Sequence, residues 1–233
     1  MQVVILAAGM GKRLRPLTED VPKPIVRVGD RPILEYTLSI LPEVIDEVIL
    51  VVGYKKEKIM DYFGDSFNGL PIKYIEQTVF NGTAGALDLA RPALKGGAFL
   101  FLYGDDLYHP EDLKEVAVSN EPVVLVKEVN NPEKFGVCLV DDDGYLLDIL
   151  EKPENPPSNL VNIGVYLLNQ EIFSVPKVQL ANGEYNLAAQ IGLWAKERRV
   201  KTIKARFWHP IGYMEDVEAA HFLVDLPPEK RLN

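Results

Sequence analysis

Cysteine and long apolar segments are nearly absent from this sequence. Cys138 is the only cysteine in 233 residues, which excludes an intramolecular disulfide and leaves a thiolate metal site without enough ligands. Because residues 135–140 form an apolar run, we expect Cys138 to be a packed, inert thiol. No segment approaches the ~20 apolar residues of a membrane span, and residues 1–8 lack the charge and cleavage site of a secretory signal. We therefore predict a cytoplasmic protein without membrane contact.

An excess of positive charge is also lacking. The formal net charge of −9 argues against nucleic-acid binding, which needs a clustered basic face. Against this acidic background, four cations are grouped near the N-terminus: Lys12, Arg13, Arg15 and Lys23. The group indicates either a site for a small anion or a solvated basic loop, and the neighbouring glycines decide between them.

Apolar runs alternate with helical patterns along the chain. We predict strands at residues 2–8, 47–53, 70–76 and 98–103, with helices at 30–41, 55–62 and 82–93 between them. Beyond residue 106 we predict helices at 111–117, 186–198 and 214–226, and strands at 123–127, 136–140, 146–151, 161–168 and 200–207. Asp30 is the expected N-cap of the first helix, and residues 141–144 are a predicted hairpin turn. The pattern predicts an α/β fold of three αβα layers around a Rossmann-like mixed, mostly parallel sheet.

The loop after the first strand contains the glycines and most of the grouped cations. It runs from Gly9 to Thr18 (GMGKRLRPLT) and is followed by Pro-Lys-Pro at residues 22–24. Glycines let the backbone approach a phosphate closely, and Arg and Lys complement its charge. A dinucleotide-binding motif would need a third glycine where Leu14 stands, and an acidic residue where the second strand ends at Gly53. A dehydrogenase is therefore not expected.

The pattern Gly9-x-Gly11-x-Arg13-x-x-Pro-Leu-Thr, followed by Pro-Lys23-Pro, resembles the signature of the sugar-phosphate nucleotidyltransferases. The resemblance extends over nearly the whole chain and is greatest to the glucose-1-phosphate thymidylyl/uridylyl and N-acetylglucosamine-1-phosphate uridylyl enzymes. It implies Mg²⁺-dependent transfer of a nucleotidyl group from a nucleoside triphosphate to a sugar 1-phosphate, with release of pyrophosphate. In this family Arg13 would hold the β- and γ-phosphates, and Lys23 would lie near the α-phosphate. Lys12 departs from the family's usual Thr or Ser.

The segment Gln77-x-x-x-x-Gly82-Thr83-Ala84 resembles the family's base-binding motif. By resemblance, Gly82 packs under the base and Gln77 contacts its edge. Glutamine offers an acceptor and two donors, which match O4 and N3–H of uracil or thymine. A guanylyltransferase would be expected to carry a carboxylate at position 77. The motif favours UTP or dTTP, and Gly82-Thr83-Ala84 favours UTP. A polar strand end before a helix is the structural alternative.

Four further motifs complete the resemblance. Tyr103-Gly104-Asp105-Asp106 ends an apolar strand, and Asp105 is the implied Mg²⁺ ligand. Residues 135–137 (Phe-Gly-Val), Glu151-Lys152-Pro153 and Asn162-x-Gly164-x-Tyr166 match the sugar-phosphate half, although Glu-Lys-Pro alone is a common surface turn.

The resemblance implies a full set of site residues within one domain, residues 1–233. Residues 1–110 would bind the nucleotide, and residues 111–233 the sugar phosphate. The catalytic residues would be Arg13, Lys23 and Asp105, with Asp105 holding the metal. The nucleotide-binding residues would be Leu6, Ala7, Ala8, Gly9, Gly11, Lys12, Gln77, Gly82 and Thr83. The sugar-phosphate-binding residues would be Tyr103, Gly136, Glu151, Lys152, Asn162 and Tyr166.

A second position also departs from the family pattern. Relatives carry Trp-x-Asp-x-Gly near their end, with a second metal-binding aspartate, whereas this chain has Pro210 there. Three options follow: His209, Glu215 or Asp216 substitutes; Asp105, water and substrate phosphates suffice; or activity is lost. The third option would make the chain a nucleotide-sugar-binding regulatory subunit, and a mannose-1-phosphate guanylyltransferase is the other alternative. No hexapeptide repeats are present, so acyl transfer is not expected, and a homo-oligomer is the family expectation.

Overall fold

The computed structural model describes residues 1–224. Its helices are α1 Leu17–Asp20, α2 Ile33–Ser39, α3 Lys56–Phe63, α4 Thr83–Ala90, α5 Pro110–Ala117, α6 Leu187–Ala195 and α7 Met214–Val224. Its strands are β1 Gln2–Ala7, β2 Arg27–Val28, β3 Arg31–Pro32, β4 Glu47–Val52, β5 Ser66–Phe67, β6 Leu70–Glu76, β7 Phe99–Tyr103, β8 Asp106–Tyr108, β9 Val123–Glu128, β10 Gly136–Val140, β11 Leu146–Glu151, β12 Leu160–Leu168, β13 Val178–Gln179, β14 Tyr185–Asn186, β15 Lys201–Lys204 and β16 Trp208–Pro210.

Ten of these strands form one mixed sheet in the order β11-β10-β12-β7-β1-β4-β6-β5, with β9 paired to β12 and β15 to β9. Strands β7, β1, β4 and β6 are mutually parallel, and β1 and β4 are almost continuous runs of buried aliphatic residues. Such runs are typical of parallel strands covered on both faces. The second half adds antiparallel pairs around β12, and β10 and β11 form the predicted hairpin.

Helices cover both faces of the sheet. Leu34 of α2, Ile59 of α3 and Leu113 of α5 share one apolar cluster with the side chains of one face. Leu87 of α4 and Ile191 of α6 belong to the cluster on the opposite face. Helix α7 packs into a third, smaller cluster with residues of β2 and α2. The predicted α/β fold with three layers and a mixed sheet is confirmed.

Several predicted boundaries were wrong. Asp30 does not cap α2, because the next two residues form β3, which pairs with β2, and the helix begins only at Ile33. The last sheet strand covers Lys201–Lys204 instead of residues 200–207, and Asn186 is the N-cap of α6 rather than its first residue. Residues 225 and 226 of the predicted final helix lie outside the described residues.

Because β1, β4, β6 and β7 are parallel, their carboxyl ends meet at one edge of the sheet, where open α/β sheets bind ligands. The predicted division into a nucleotide-binding half and a sugar-phosphate-binding half stays a prediction. Within residues 1–224, no helix combines the length and the apolar character that crossing a membrane would require.

Candidate active site

The loops after β1 and β7 enclose a pocket of about 280 Å³ at this edge of the sheet. It is lined by Leu6, Ala7, Gly9, Gly11, Lys12, Arg13, Leu14, Lys23, Pro24, Asp105 and Gly212. The loop after β1 is anchored by Leu14, which is buried in the third cluster, and by Thr18, whose Oγ1 donates to the Gly11 carbonyl at 2.8 Å. The structure therefore brings the three predicted catalytic residues and five of the nine predicted nucleotide-binding residues to one pocket.

Lys23 and Asp105 form an ion pair inside this pocket. The distance from Lys23 Nζ to Asp105 Oδ2 is 2.6 Å, and Lys23 is only 9% exposed. A short 3-10 turn, Lys23–Ile25, fixes the backbone of the lysine. Asp105 lies two residues after the end of β7 at Tyr103. A cation this buried needs an anionic partner, because leaving it unpaired would cost much of its hydration energy.

Asp106, the next residue, anchors residues 208–211, which directly precede Gly212 of the pocket lining. Its carboxylate accepts hydrogen bonds from Trp208 Nε1 at 3.0 Å and from the Ile211 amide at 3.1 Å. Burial, and then the charge of Asp105, raise the pKa of Asp106 to about 7. Strands β8 and β16 pair so that Pro210 lies opposite Asp106. Asp106 thus fixes residues 208–211 beside the pocket.

Two of the three residues considered as substitutes for the missing carboxylate at position 210, His209 and Asp216, are engaged elsewhere, and the third, Glu215, is exposed and outside the pocket lining. His209 Nε2 lies 2.8 Å from the Asp216 backbone oxygen. Asp216 Oδ2 accepts the amides of Gly212 at 2.8 Å and Tyr213 at 2.7 Å, at the start of α7. Among the described residues, no group of three His, Cys, Asp or Glu side chains is arranged to hold a metal. Asp105 is the acidic side chain that lines the pocket.

The predicted base-binding residues lie at the end of β6 and the start of α4. Gln77 is buried, and its Nε2 is 3.3 Å from the Gly82 carbonyl. Gly82 has φ +99°, and a Cβ there would lie 2.4 Å from the Tyr185 carbonyl, so only glycine fits. Thr83 Oγ1 accepts the Leu187 amide at 2.9 Å, which joins α4 to the start of α6. Ala8 is not in the pocket lining; it is buried, and its carbonyl accepts the Tyr54 amide.

The predicted sugar-phosphate residues form a second group around the end of β11. A Cβ at Gly136 would be 3.6 Å from both Glu151 Oε2 and Asn162 Nδ2, so these side chains lie over the glycine. Lys152 Nζ is 3.7 Å from Glu151 Oε1, and the Lys152 backbone has a left-handed φ of 44°. A left-handed conformation at a non-glycine residue carries strain of a kind often found at functional sites.

Tyr103 lies between these groups. Burial raises the pKa of Tyr103 well above its usual range, and the charges of Glu151 and Asp105 add to the effect. Its ring packs against Gly164, where a Cβ would be 2.1 Å away. Tyr166 is fully buried, with its ring 5.5 Å from that of Phe101, and it packs behind Tyr103. Its contact with a sugar stays a prediction.

Among the side chains that sequence analysis missed and that contact predicted site residues are those of Asn186 and Tyr213. Asn186 Nδ2 donates to Glu151 Oε2 at 3.3 Å, and an asparagine directly before an apolar helical run was a usable signal. Tyr213 lies under Arg13, with the guanidinium carbon 5.0 Å from the ring centroid. No local sequence pattern indicates the contact between Tyr213 and Arg13.

Comparison with known proteins is consistent with this geometry. Residues 2–224 match the family described as Nucleotidyl transferase. The bifunctional protein GlmU of Methanocaldococcus jannaschii is 40% identical over 229 residues, which are 97% of this chain and 55% of that protein. The UTP–glucose-1-phosphate uridylyltransferase AglF of Haloferax volcanii is 38% identical over 232 residues, which are 94% of this chain and 95% of that protein. The chain thus spans about half the length of GlmU and nearly the whole length of the shorter relative AglF.

Solved structures share the fold. A structure described as a glucose-1-phosphate thymidylyltransferase of Bacillus anthracis superposes with a TM-score of 0.87 at 24% identity, covering 100% of this chain and 99% of that one. A UDP-glucose pyrophosphorylase complexed with UDP-glucose superposes with a TM-score of 0.84 at 23% identity, covering 96% and 98%. At these identities the likeness establishes the architecture.

Proposed function

Because the chain belongs to the nucleotidyl transferase family, we propose that it transfers the nucleotidyl group of a nucleoside triphosphate to a sugar 1-phosphate. An oxygen of the sugar phosphate attacks the α-phosphorus, the bond from that phosphorus to the β-phosphate oxygen breaks, and pyrophosphate leaves. The products are a nucleoside diphosphate sugar and pyrophosphate. The reaction brings two anions together, so it needs positioning and charge neutralisation more than covalent participation by the protein.

The observation that carries this proposal is the pocket with the Lys23–Asp105 ion pair. It places a buried cation, a carboxylate and a glycine-containing loop within one small cavity. A phosphate of the substrate would replace Asp105 as the ion-pair partner of Lys23. The Asp105 carboxylate would then be available to a cation that accompanies the substrate. Arg13 and Lys12 line the same pocket and supply further positive charge for the β- and γ-phosphates.

The donor set suits Mg²⁺. Mg²⁺ is commonly held by one or two carboxylates together with substrate phosphates, and Asp105 provides one carboxylate. Since His209 and Asp216 are bound to other groups, we favour Asp105 and substrate oxygens as the ligands, without a replacement for the residue missing at Pro210. When bound, the ion would neutralise phosphate charge, while Lys23 and Arg13 orient the chain of phosphates.

The base-binding group supports a pyrimidine triphosphate. Gln77 can donate to and accept from the edge of uracil or thymine, and Gly82 lies beside it, with its carbonyl 3.3 Å from Gln77 Nε2. The relative from Haloferax volcanii is described as a UTP-dependent uridylyltransferase, which favours UTP over dTTP. Glu151, Asn162 and Lys152 would contact the sugar 1-phosphate, with Lys152 facing its phosphate.

A matrix of triphosphates against sugar 1-phosphates, scored by pyrophosphate release with and without Mg²⁺, tests the proposal. We expect release with UTP or dTTP, dependent on both the sugar phosphate and Mg²⁺. A preference for GTP with mannose 1-phosphate would favour the guanylyltransferase alternative. Nucleotide binding without pyrophosphate release from any pair would favour a regulatory subunit, the alternative that Pro210 motivates.

A further inference from the structure

Arg13 makes a stacking contact with an aromatic ring that lies 200 residues away in sequence. Its guanidinium carbon is 5.0 Å from the centroid of the Tyr213 ring, and Nη1 is 3.5 Å from the Tyr213 hydroxyl. Arg13 is exposed, and Tyr213 is 51% exposed. An exposed arginine ordinarily samples many rotamers. A contact that selects one of them reduces the conformational entropy that Arg13 loses when it binds a ligand.

The backbone beneath Tyr213 is itself fixed. Asp216 Oδ2 accepts the amides of Gly212 and Tyr213 at 2.8 and 2.7 Å, and the Asp216 amide donates to the Tyr213 carbonyl at 3.2 Å. Gly212 lines the phosphate pocket, and a Cβ there would be 3.7 Å from Arg13 Nη1. The start of α7 therefore presents the Tyr213 ring to Arg13 at the rim of the pocket.

We propose that Tyr213 is a positioning residue that holds Arg13 in the orientation that receives the β- and γ-phosphates of the triphosphate. The inference rests on the proposed function and assigns Tyr213 a role in triphosphate affinity, not in binding of the sugar phosphate. The aromatic face is the group that acts, since the 3.5 Å contact to the hydroxyl is at the limit of a hydrogen bond.

The test is a double-mutant cycle on binding of inorganic tripolyphosphate and of UTP, measured by calorimetry in Mg²⁺. Tyr213→Leu removes the aromatic face, Tyr213→Phe keeps it, and Arg13→Ala removes the group that it positions. Tyr145→Leu is the matched control, because Tyr145 stacks under Arg199, which lies outside the pocket lining. Thermal melts check that each variant is folded.

We expect Tyr213→Leu to weaken tripolyphosphate binding about two- to five-fold, the size of an exposed cation–π contact. Tyr213→Phe and Tyr145→Leu should bind like the wild type, and Tyr213→Leu should add no loss in the Arg13→Ala background. In turnover, Tyr213→Leu should raise KM for the triphosphate and leave KM for the sugar 1-phosphate unchanged.

Two outcomes would overturn the inference about Tyr213 without affecting the proposed function. In the first, Arg13→Ala weakens binding but Tyr213→Leu binds normally. In the second, Tyr213→Leu causes an equal loss of affinity with and without Arg13. If Arg13→Ala itself bound tripolyphosphate normally, the assignment of the phosphate pocket would fail, and the role of Tyr213 with it.

Discussion

Lys23 Nζ and Asp105 Oδ2 lie 2.6 Å apart, although the two residues are 82 positions apart in sequence. In the absence of substrate, each residue neutralises the charge of the other. Because the lysine would turn to a phosphate and the carboxylate to a cation, a substrate that carries both can replace both partners at once. The pair therefore explains how a buried cation and a carboxylate can be kept ready for an anionic substrate without leaving either charge unpaired.

Replacing Lys23 by Met tests this pair. Loss of one preorganised group that stabilises the transition state typically costs about 10²–10³-fold in turnover, and we expect a loss of that size in pyrophosphate release. The fold should persist, since the Asp105 side chain is 35% exposed and water can reach it. Lys95→Met is the matched control, because Lys95 pairs with Glu47 at 3.0 Å at the opposite end of β4. Normal turnover in Lys23→Met would contradict the assignment.

Replacing Gln77 by Met tests the assignment of the base site. The substitution keeps the volume of the side chain but removes its donors and its acceptor. We expect kcat/KM for UTP to fall about ten-fold or more, because groups on the base lose their partners, whereas KM for the sugar 1-phosphate should not change. Steady-state kinetics with UTP and GTP measure the effect. An unchanged ratio between the two nucleotides would show that Gln77 does not contact the base.

Replacing Gly82 by Ala tests the contact between the base-binding loop and the hairpin of β13 and β14. The new Cβ would lie 2.4 Å from the Tyr185 carbonyl, at a φ of +99°. Gly64→Ala is the control, since it also places alanine at positive φ but has nothing within 4 Å. Gly64 has φ 61° and ψ −153°, a conformation essentially restricted to glycine, and Gly64→Ala should cost about 1–3 kcal/mol of unfolding free energy. Gly82→Ala should cost roughly 1–3 kcal/mol more, the usual range for overpacking. Equal losses in urea denaturation would argue against the close contact with Tyr185.

Cys138 should be unreactive in the folded protein. Burial raises the pKa of the Cys138 thiol to about 12, and the thiolate is the form that reacts. At pH 8 we expect alkylation by iodoacetamide to be about 10³-fold slower in the native protein than in urea. Mass spectrometry at timed intervals follows the reaction. Rapid stoichiometric alkylation of the native protein would mean that strand β10 is not packed as described.

Much of the fold was predictable because the sheet strands are encoded locally. Strands β6, β10 and β11 have the predicted bounds, since each is an apolar or alternating run with clear turn residues at its ends. The start of α2 was not predictable in this way. Asp30 and Pro32 carry the signals of a helix start, but pairing of β3 with β2 uses the backbone of Arg31 and Pro32 before the helix begins.

The candidate site also contains features that the sequence predicts and features that it does not. The loop around Arg13 and Lys23 and the carboxylate of Asp105 follow strand ends, so the sequence pattern was enough to place them together. The contact between Arg13 and Tyr213, and the hydrogen bond from Trp208 to Asp106, depend on how residues 208–216 return across the sheet edge. The exposure of Tyr166 could not be judged either, because its strand supplies residues to both faces of the sheet.

The central claim is that an oxygen of the sugar phosphate attacks the α-phosphorus of a triphosphate held in this pocket. Isotope tracing tests it most directly: the protein is incubated with Mg²⁺, unlabelled UTP and a sugar 1-phosphate labelled with ¹⁸O in its phosphate, and the products are weighed by mass spectrometry. The account predicts that all of the transferred label is found in the nucleoside diphosphate sugar and that the pyrophosphate is unlabelled. The Lys23→Met variant should form both products about 10²–10³-fold more slowly. Label in the pyrophosphate, or undiminished product from Lys23→Met, would contradict it.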